Sequence, residues 1–341
     1  MRSRADALSP AMRAMRHARN QLETEAGRLR GLDFVPRPSD IFIVTSPKAG
    51  TTWLQQIVHS LRGGTQDFSE ICEVIPCIEL AHDCGINLAA PQACGLRRCY
   101  KTHAWETDCP KGARYIVCMR EPKDSAVSFF HFFEGWLFEK GSISLDEFVA
   151  DFVLARGRPS SRLENASWWE HLLSWWPRRH DDDVCLLFFE DLKASLPEQI
   201  RRLAAFLGGD ATAAERLAEA ERVSSFSYMK AHEEQFNESL TKRARNRAMG
   251  LPPDAGLGAG EGKVREGKTG AAHEELSPET RNAIDRRWAA VEQATGYASF
   301  AALRDGFARE RATRCERGGD DDHPARARPF PVLRALLRAD T

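Results

Sequence analysis

The sequence of 341 residues lacks any apolar run of the length that a membrane-spanning helix needs, and its N-terminus has no secretory apolar core. It also lacks an excess of one charge, because 48 Lys and Arg residues are balanced by 49 Asp and Glu residues. Non-specific nucleic-acid binding depends on a basic excess. We therefore expect a cytoplasmic protein whose partners include neither a membrane nor a nucleic acid.

Disulfide and zinc patterns are missing too. The nine cysteines are an odd number, and the pair Cys72 and Cys77 has no CxxC or HxxxH partner nearby. Reduced thiols are therefore favoured over a disulfide framework or a metal site. Residues 1–31 are rich in Arg and Ala and are interrupted by Glu23 and Glu25. A solvated N-terminal helix is the simpler interpretation of this segment, and a transit peptide stays open.

Short apolar runs alternate with helical patterns along the chain. The runs with the composition of buried strands are 40–45, 99–103, 114–119 and 183–189. Helices are predicted from about residue 51, after Pro122, over 164–176 and over 190–208. This alternation predicts a single α/β domain with a central parallel β-sheet flanked by helices.

The ends of the chain differ in composition from its middle. We expect an N-terminal helical extension at 1–35, the α/β domain at 36–311 and a C-terminal tail at 312–341. The Gly- and Pro-rich stretch MGLPPDAGLGAGEGK (249–263) is the clearest flexible segment within the domain.

The stretch IFIVTSPKAGTTW (41–53) runs from a predicted strand through a loop into a helix. Backbone N–H groups at a helix start, supported by the helix dipole, favour a dianionic phosphate. Gly50 allows close approach, Thr51 and Thr52 add hydroxyl donors, and Lys48 adds a mobile charge. The GK[ST] ending that provides a Mg²⁺ ligand in nucleoside triphosphatases is absent. The loop therefore suits a phosphate-bearing donor that needs no metal, although taken alone it is equally consistent with a structural turn.

Four motifs in order resemble those of the cytosolic sulfotransferases. SPKAGTTW (46–53) is similar to the family's 5′-phosphosulfate loop, YKTH (100–103) to its KTH element, REPKDSAVS (120–128) to its 3′-phosphate motif, and VREGKTG (264–270) to its late R-K-G-x-x-G motif. Weaker matches occur in EVIPCIEL, SWWEHLLSWW, FFEDLK and SSFSYMK. The resemblance covers residues 36 to 300 and implies a P-loop-like phosphosulfate-binding loop.

The resemblance implies transfer of a sulfuryl group from 3′-phosphoadenosine 5′-phosphosulfate (PAPS, leaving the bisphosphate PAP) to a hydroxyl or amine of a small-molecule acceptor. No metal is implied. His103 would be the general base and Lys48 would stabilise the leaving group. Lys101 lies on the same face of the predicted strand as His103 and would stabilise the transferring group. Ser128 is placed with these catalytic residues and also at the 3′-phosphate.

The same resemblance assigns the residues that would bind the donor. Arg120 and Ser128 would hold the 3′-phosphate, and Trp53 would stack on the adenine. The full implied donor site consists of Lys48, Ala49, Gly50, Thr51, Thr52, Trp53, Arg120, Ser128, Ser225, Phe226, Arg265, Glu266 and Gly267. Residues 235–263, called the lid segment below, lie where the family has its acceptor lid.

Several features stay open at the level of the sequence. The family's KxxxTVxxxE dimer motif is not legible in KTGAAHEELSPET, so the homodimer is not carried over from the family. Glu266 replaces the lysine of R-K-G, which favours a degenerate nucleotide-binding protein without turnover as one alternative. A P-loop kinase of small molecules is the other. Neither the acceptor nor the choice between O- and N-sulfation is predicted.

Overall fold

The computed structural model describes residues 8–92, 96–257, 263–264 and 270–318. Within them, four parallel strands form one sheet in the order β2-β1-β3-β4. The strands are β1 Ile41–Thr45, β2 Cys99–Thr102, β3 Arg114–Met119 and β4 Val184–Phe188. Each begins and ends within one residue of the predicted limits. The prediction of a single α/β domain with a central parallel sheet flanked by helices is confirmed.

Helices surround this sheet along the whole described chain. They are α1 Pro10–Asn20, α2 Glu25–Leu32, α3 Thr51–Leu61, α4 Ile71–Val74, α5 Ile78–Ala81, α6 Pro122–Phe133, α7 Leu145–Phe148, α8 Trp168–Trp175, α9 Phe189–Ala194, α10 Leu196–Leu207, α11 Ala214–Val223, α12 Phe226–Ala231, α13 Ser239–Ala248, α14 Ala271–Glu275, α15 Pro278–Arg287, α16 Ala289–Thr295 and α17 Phe300–Gly318. A π-helical turn, Val149–Val153, follows α7. None of the helices described is long and apolar enough to cross a membrane.

Both faces of the sheet are buried, which explains why its strands are continuous apolar runs rather than alternating ones. Along β1, Phe42 and Val44 belong to one core cluster, whereas Ile41 and Ile43 belong to the cluster on the opposite face. The Trp-rich helix α8 packs its indoles into the first of these clusters. Core clusters therefore cover both faces of the sheet, and the candidate site lies at the carboxyl ends of its strands.

One predicted helix is wrong. The stretch 190–208 is divided into α9 and α10, and Ser195 between them has an extended φ of −150°. Pro197 lies in the first turn of α10. Proline lacks an N–H and its ring clashes with the carbonyl four residues earlier, so a helix that reaches it from the N-terminal side must end and begin again. The predicted end at Gly208 is confirmed, since that residue caps α10 with a φ of 72°.

The topology brings three chain segments to one place. β1 lies between β2 and β3, so the loops that leave these strands emerge side by side at the carboxyl edge of the sheet. These loops contain Lys48 after β1, His103 after β2 and Arg120 after β3. Ligands of open α/β sheets bind in the crevice at such a point, where successive connections leave a strand on opposite sides.

Candidate active site

The loop between β1 and α3 has the backbone of an anion-binding turn. Gly50 has a φ of 94° and caps α3 without any side-chain hydrogen bond, which leaves the first N–H groups of the helix available. A Cβ added at Gly50 would lie 2.9 Å from Cδ2 of Phe189. Lys48 also has a left-handed backbone, with a φ of 69°. Glycine is therefore required at position 50 both for its conformation and for the close approach of Phe189.

A cavity of about 300 Å³ opens at this edge of the sheet. The residues expected at the site that line it are Lys48, Gly50, Thr51, Thr52, Trp53, Lys101, His103, Arg120, Ser128 and Phe226. Ala49 and Ser225 are not part of the lining: the Ala49 side chain is buried, and the Ser225 hydroxyl donates to the carbonyl of Arg222 at 2.8 Å. Arg265, Glu266 and Gly267 lie outside the described residues.

His103 is oriented through its ring and its backbone. Nδ1 lies 2.9 Å from the carbonyl oxygen of Thr45, which can only accept, so Nδ1 carries the proton and Nε2 is the basic nitrogen of the neutral ring. Burial lowers the pKa of His103, and the charge of Lys101 lowers it further, whereas Glu79 acts in the opposite direction. The imidazole is therefore held neutral, in the tautomer that a general base requires.

Glu79 is a site residue that the motifs did not identify. Its buried Oε1 accepts hydrogen bonds from the backbone N–H of His103 at 2.8 Å and from the hydroxyl of Thr102 at 2.6 Å. Burial raises the pKa of Glu79, but the positive charges of a protonated His103 and of Arg28, together with these hydrogen bonds, outweigh burial and lower it. The only sequence signal was its position in the weakly matching stretch EVIPCIEL. Glu79 therefore places a fixed negative charge behind the base.

Lys101 lines the same cavity and is bonded to the lid segment. Its Nζ donates to Oε1 of Glu238, which also pairs with Lys263. Burial lowers the pKa of Lys101, yet the negative groups around it, with Glu238 in direct contact, raise it well above its usual value. No motif indicates Glu238, because the prediction of the lid segment rests on the overall composition of that segment. This ion pair therefore connects the lid segment to β2, the strand that carries Lys101.

The opposite end of the cavity combines aromatic rings with Arg120. Nε1 of Trp53 donates to the carbonyl of Ser224 at 2.8 Å, and the Trp53 ring meets Phe189 edge to face with centroids 5.5 Å apart. The guanidinium of Arg120 lies 4.4 Å from the Phe189 centroid and donates to the carbonyl of Lys48 at 3.1 Å. Flat aromatic surfaces next to a guanidinium suit a heteroaromatic base with an attached phosphate.

Lys48 lies next to Arg120, since its carbonyl oxygen accepts a hydrogen bond from that guanidinium. Its Nζ is 4.1 Å from the centroid of Phe132, which faces it from α6. The cavity therefore combines a guanidinium beside aromatic rings, a lysine on an anion-binding turn and a neutral histidine. This arrangement can bind a polyanionic nucleotide and remove a proton from a second molecule beside it.

Comparison with known proteins supplies a family for this arrangement. A family model described as a sulfotransferase domain matches residues 38–296. Human sulfotransferase 1E1 is 32% identical over 188 residues, which are 51% of this chain and 60% of that protein. The rabbit (Oryctolagus cuniculus) amine sulfotransferase is 27% identical over 188 residues, 52% of this chain and 59% of that protein. The chain thus spans about 60% of the length of these curated relatives.

Solved structures agree on the fold. Mouse sulfotransferase SULT7A1 complexed with PAP superposes with a TM-score of 0.58 at 22% identity, covering 82% of this chain and 94% of that one. Retinol dehydratase in complex with retinol and PAP superposes with a TM-score of 0.57 at 20% identity, covering 76% of this chain and 84% of that one.

Proposed function

The chain belongs to the sulfotransferase family, whose domain model spans residues 38–296, and from this premise we propose that it moves a sulfuryl group from PAPS to a hydroxyl or amine of a small molecule. The observation that carries the proposal is the meeting, in one cavity, of Lys48 on an anion-binding turn with a neutral His103. The PAP found in the mouse and retinol dehydratase structures supports a 3′-phosphorylated adenine nucleotide as the donor.

The residues present fit such a donor. The N–H groups exposed by the left-handed Gly50, with the hydroxyls of Thr51 and Thr52, would hold the 5′-phosphosulfate. Arg120 and Ser128 would hold the 3′-phosphate, and the ring surfaces of Trp53 and its neighbours would hold the adenine. When bound, PAPS supplies an activated sulfuryl group and a phosphate leaving group.

In this proposal, His103, Lys48 and Lys101 are the catalytic residues. Nε2 of His103 accepts the proton of the acceptor while Nδ1–H stays bonded to Thr45, so the ring does not rotate as it becomes charged. Glu79 then stabilises the imidazolium that forms. Lys48 offsets the charge that develops on the leaving phosphate, and Lys101 offsets the charge on the transferring group. No metal is needed in this scheme.

Nucleotide binding provides the first test. We expect PAP to raise the unfolding temperature of the protein without any metal, because binding to the native state alone stabilises it by about 2.7 kcal/mol at a hundredfold excess over Kd. ATP with Mg²⁺ serves as the comparison. Stabilisation by ATP with Mg²⁺ and not by PAP would instead favour the small-molecule kinase.

Turnover provides the second test and separates an enzyme from a protein that only binds nucleotide. Transfer of labelled sulfate from PAPS to a mixed panel of phenols, alcohols and amines should be detectable. His103→Ala should lower kcat about 10²- to 10⁴-fold while PAP still binds, because the base is lost but the phosphate contacts remain. His273→Ala, at an exposed position, is the matched control. Loss of PAP binding in His103→Ala would show that the role of this histidine is misassigned.

A further inference from the structure

The cavity carries far more positive charge than the chain as a whole. The net charge of the protein is −1, yet Lys and Arg side chains in the lining outnumber the three carboxylates there several-fold. Each of these carboxylates already has partners. Glu238 binds Lys101 and Lys263, Glu79 accepts the N–H of His103, and Glu23 binds Arg28 at 2.9 Å. The ion pairs of these carboxylates therefore involve Lys101, Lys263 and Arg28.

Four of the remaining cations share one property. None of them forms an ion pair with a carboxylate of the described residues; they are Arg19, Lys242, Arg245 and Arg156. Among the residues that the structure describes, the guanidinium of Arg156 donates to main-chain carbonyls, through Nη2 to Asn165 at 2.8 Å and to Ala166 at 3.1 Å. Arg245 is 4% exposed, and its buried Nε has no hydrogen-bond partner.

These cations lie beside an aromatic wall, which is formed by the rings of Phe132, Trp136 and Phe152 and begins next to Lys48. The ring of Phe132 faces Lys48, and Trp136 meets Phe132 with centroids 5.0 Å apart. Nζ of Lys242 lies 4.4 Å from the Trp136 centroid, and Arg156 lies 5.4 Å from that of Phe152. Burial lowers the pKa of Lys242 to about 8, as expected of a cation without a paired anion.

The contacts of this wall differ from those of the groups expected to hold the donor. Arg120 and Trp53 both contact the ring of Phe189. Phe132 instead contacts the ammonium group of Lys48, and Trp136 contacts Lys242 of the lid segment. A ligand group beside Phe132 and Trp136 would therefore meet different side chains from a group beside Arg120, Trp53 and Phe189.

We propose that the acceptor is an aromatic molecule that carries a carboxylate, with its ring against Phe132 and Trp136 and its anion among Lys242, Arg245, Arg156 and Arg19. This inference rests on the proposed function, because it assigns the acceptor side of the same cavity. An anion would pair with guanidinium and ammonium groups that form no ion pair with a carboxylate of the described residues. A neutral acceptor would leave these cations without an anion, and an acceptor that carries an ammonium group would be repelled by them.

Binding of matched phenols to the PAP-loaded protein tests the inference without turnover. The probes are 3-(4-hydroxyphenyl)propanoate, its methyl ester and tyramine, measured by isothermal titration calorimetry. The acid should bind at least about tenfold more tightly than the ester, since a hydrogen bond to a charged group contributes about 1.5–3 kcal/mol. Tyramine should bind more weakly than the ester. Equal affinity of acid and ester, or no detectable binding of the acid, overturns the inference.

Variants identify the cations responsible. Lys242→Met and Arg156→Met should each reduce the ratio of acid to ester affinity toward one while leaving the affinity for the ester nearly unchanged. Arg286→Met, at an exposed position outside the cavity, should leave the ratio as it is. An unchanged ratio in both cavity variants contradicts the assignment.

The comparison is also made on the nucleotide-free protein, so that the two proposals can fail separately. A protein that prefers the acid but neither binds PAP nor transfers sulfate would contradict the proposed function alone. A protein that transfers sulfate equally well to ester and acid would contradict the acidic acceptor alone.

Discussion

At the scale of single residues, the position of His103 is set by groups that do not belong to any motif. The Thr45 carbonyl determines which ring nitrogen carries the proton, and Glu79 holds the backbone N–H of the same histidine. A base that is fixed in rotamer and tautomer needs little reorganisation at the moment of proton transfer. Glu79 is thus a positioning residue whose charge also bears on the pKa of the ring.

Glu79→Gln tests this charge, because glutamine keeps an oxygen acceptor for the N–H of His103 and loses only the charge. Glu79 raises the pKa of His103, so the variant should lower that pKa further below its ordinary value of 6.5. NMR titration of the imidazole nitrogens in the nucleotide-free protein measures the shift. The acid side of the kcat/KM profile should move to lower pH, since the ring then stays neutral to lower pH.

The value of kcat for Glu79→Gln should fall at the same time, because the imidazolium formed during transfer loses a nearby negative charge. Glu274→Gln removes an exposed carboxylate as a control. An unchanged or raised His103 pKa in Glu79→Gln would show that the carboxylate supports only the backbone.

At the scale of elements, two helix starts shape the cavity. α3 begins at a glycine with a left-handed backbone, which turns its N–H groups toward the ligand. α13 begins in the lid segment, where Oε2 of Glu70 accepts the N–H of Leu240 at 2.6 Å and that of Thr241 at 3.2 Å. A buried carboxylate on the domain thus anchors the first turn of the lid helix and satisfies its orphan donors.

Gly50→Ala should damage both stability and nucleotide binding. An alanine with a left-handed backbone costs about 1–2 kcal/mol, and here its methyl would also press on Phe189. Gly112→Ala is a matched control, because that glycine has a φ of 90° with nothing within 4 Å of an added Cβ. Urea unfolding should show the larger loss for Gly50→Ala, and calorimetry should show weaker PAP binding only there. Equal losses, with PAP affinity intact, would mean that the loop tolerates a side chain at position 50.

At the scale of the whole molecule, the N-terminal helices are built into the site. Met12 and Met15 of α1 are fully buried in a cluster with Phe133 and Phe152, whose rings belong to the aromatic core beside the cavity. The following chain contributes Glu23 to the cavity wall. At the other end of the chain, α17 continues through residue 312, where the tail was expected to begin.

Met15→Ala should therefore destabilise the entire domain rather than a detachable segment. Truncation of a fully buried methionine costs about 2–5 kcal/mol. Urea unfolding followed by tryptophan fluorescence should show one transition with a lower midpoint. Leu240→Ala, at a side chain that is 41% exposed, should change the midpoint little. A second, earlier transition in Met15→Ala would indicate that the N-terminal helices unfold on their own.

Local patterns were sufficient for the strands of the sheet. Each strand is buried on both faces, so it appears in the sequence as a short continuous apolar run between polar or Gly/Pro positions. Local patterns did not predict the break in the helix before Pro197. They also did not predict the short helices α4 and α5, because so few residues show no repeated helical period.

By itself, the sequence determined the family, the sheet and the contiguous motifs, because loop geometry and strand burial depend on neighbouring residues. Only the tertiary structure decided what supports the site. The ring of His103 bonds to a carbonyl 58 positions away, and Lys101 bonds to Glu238 at a separation of 137. The cations proposed to bind the acceptor come from α1, the helix α13 of the lid segment and the chain after the π-helical turn. Such groups come together only when strands and helices pack, so no local sequence pattern predicts the excess of positive charge in the cavity.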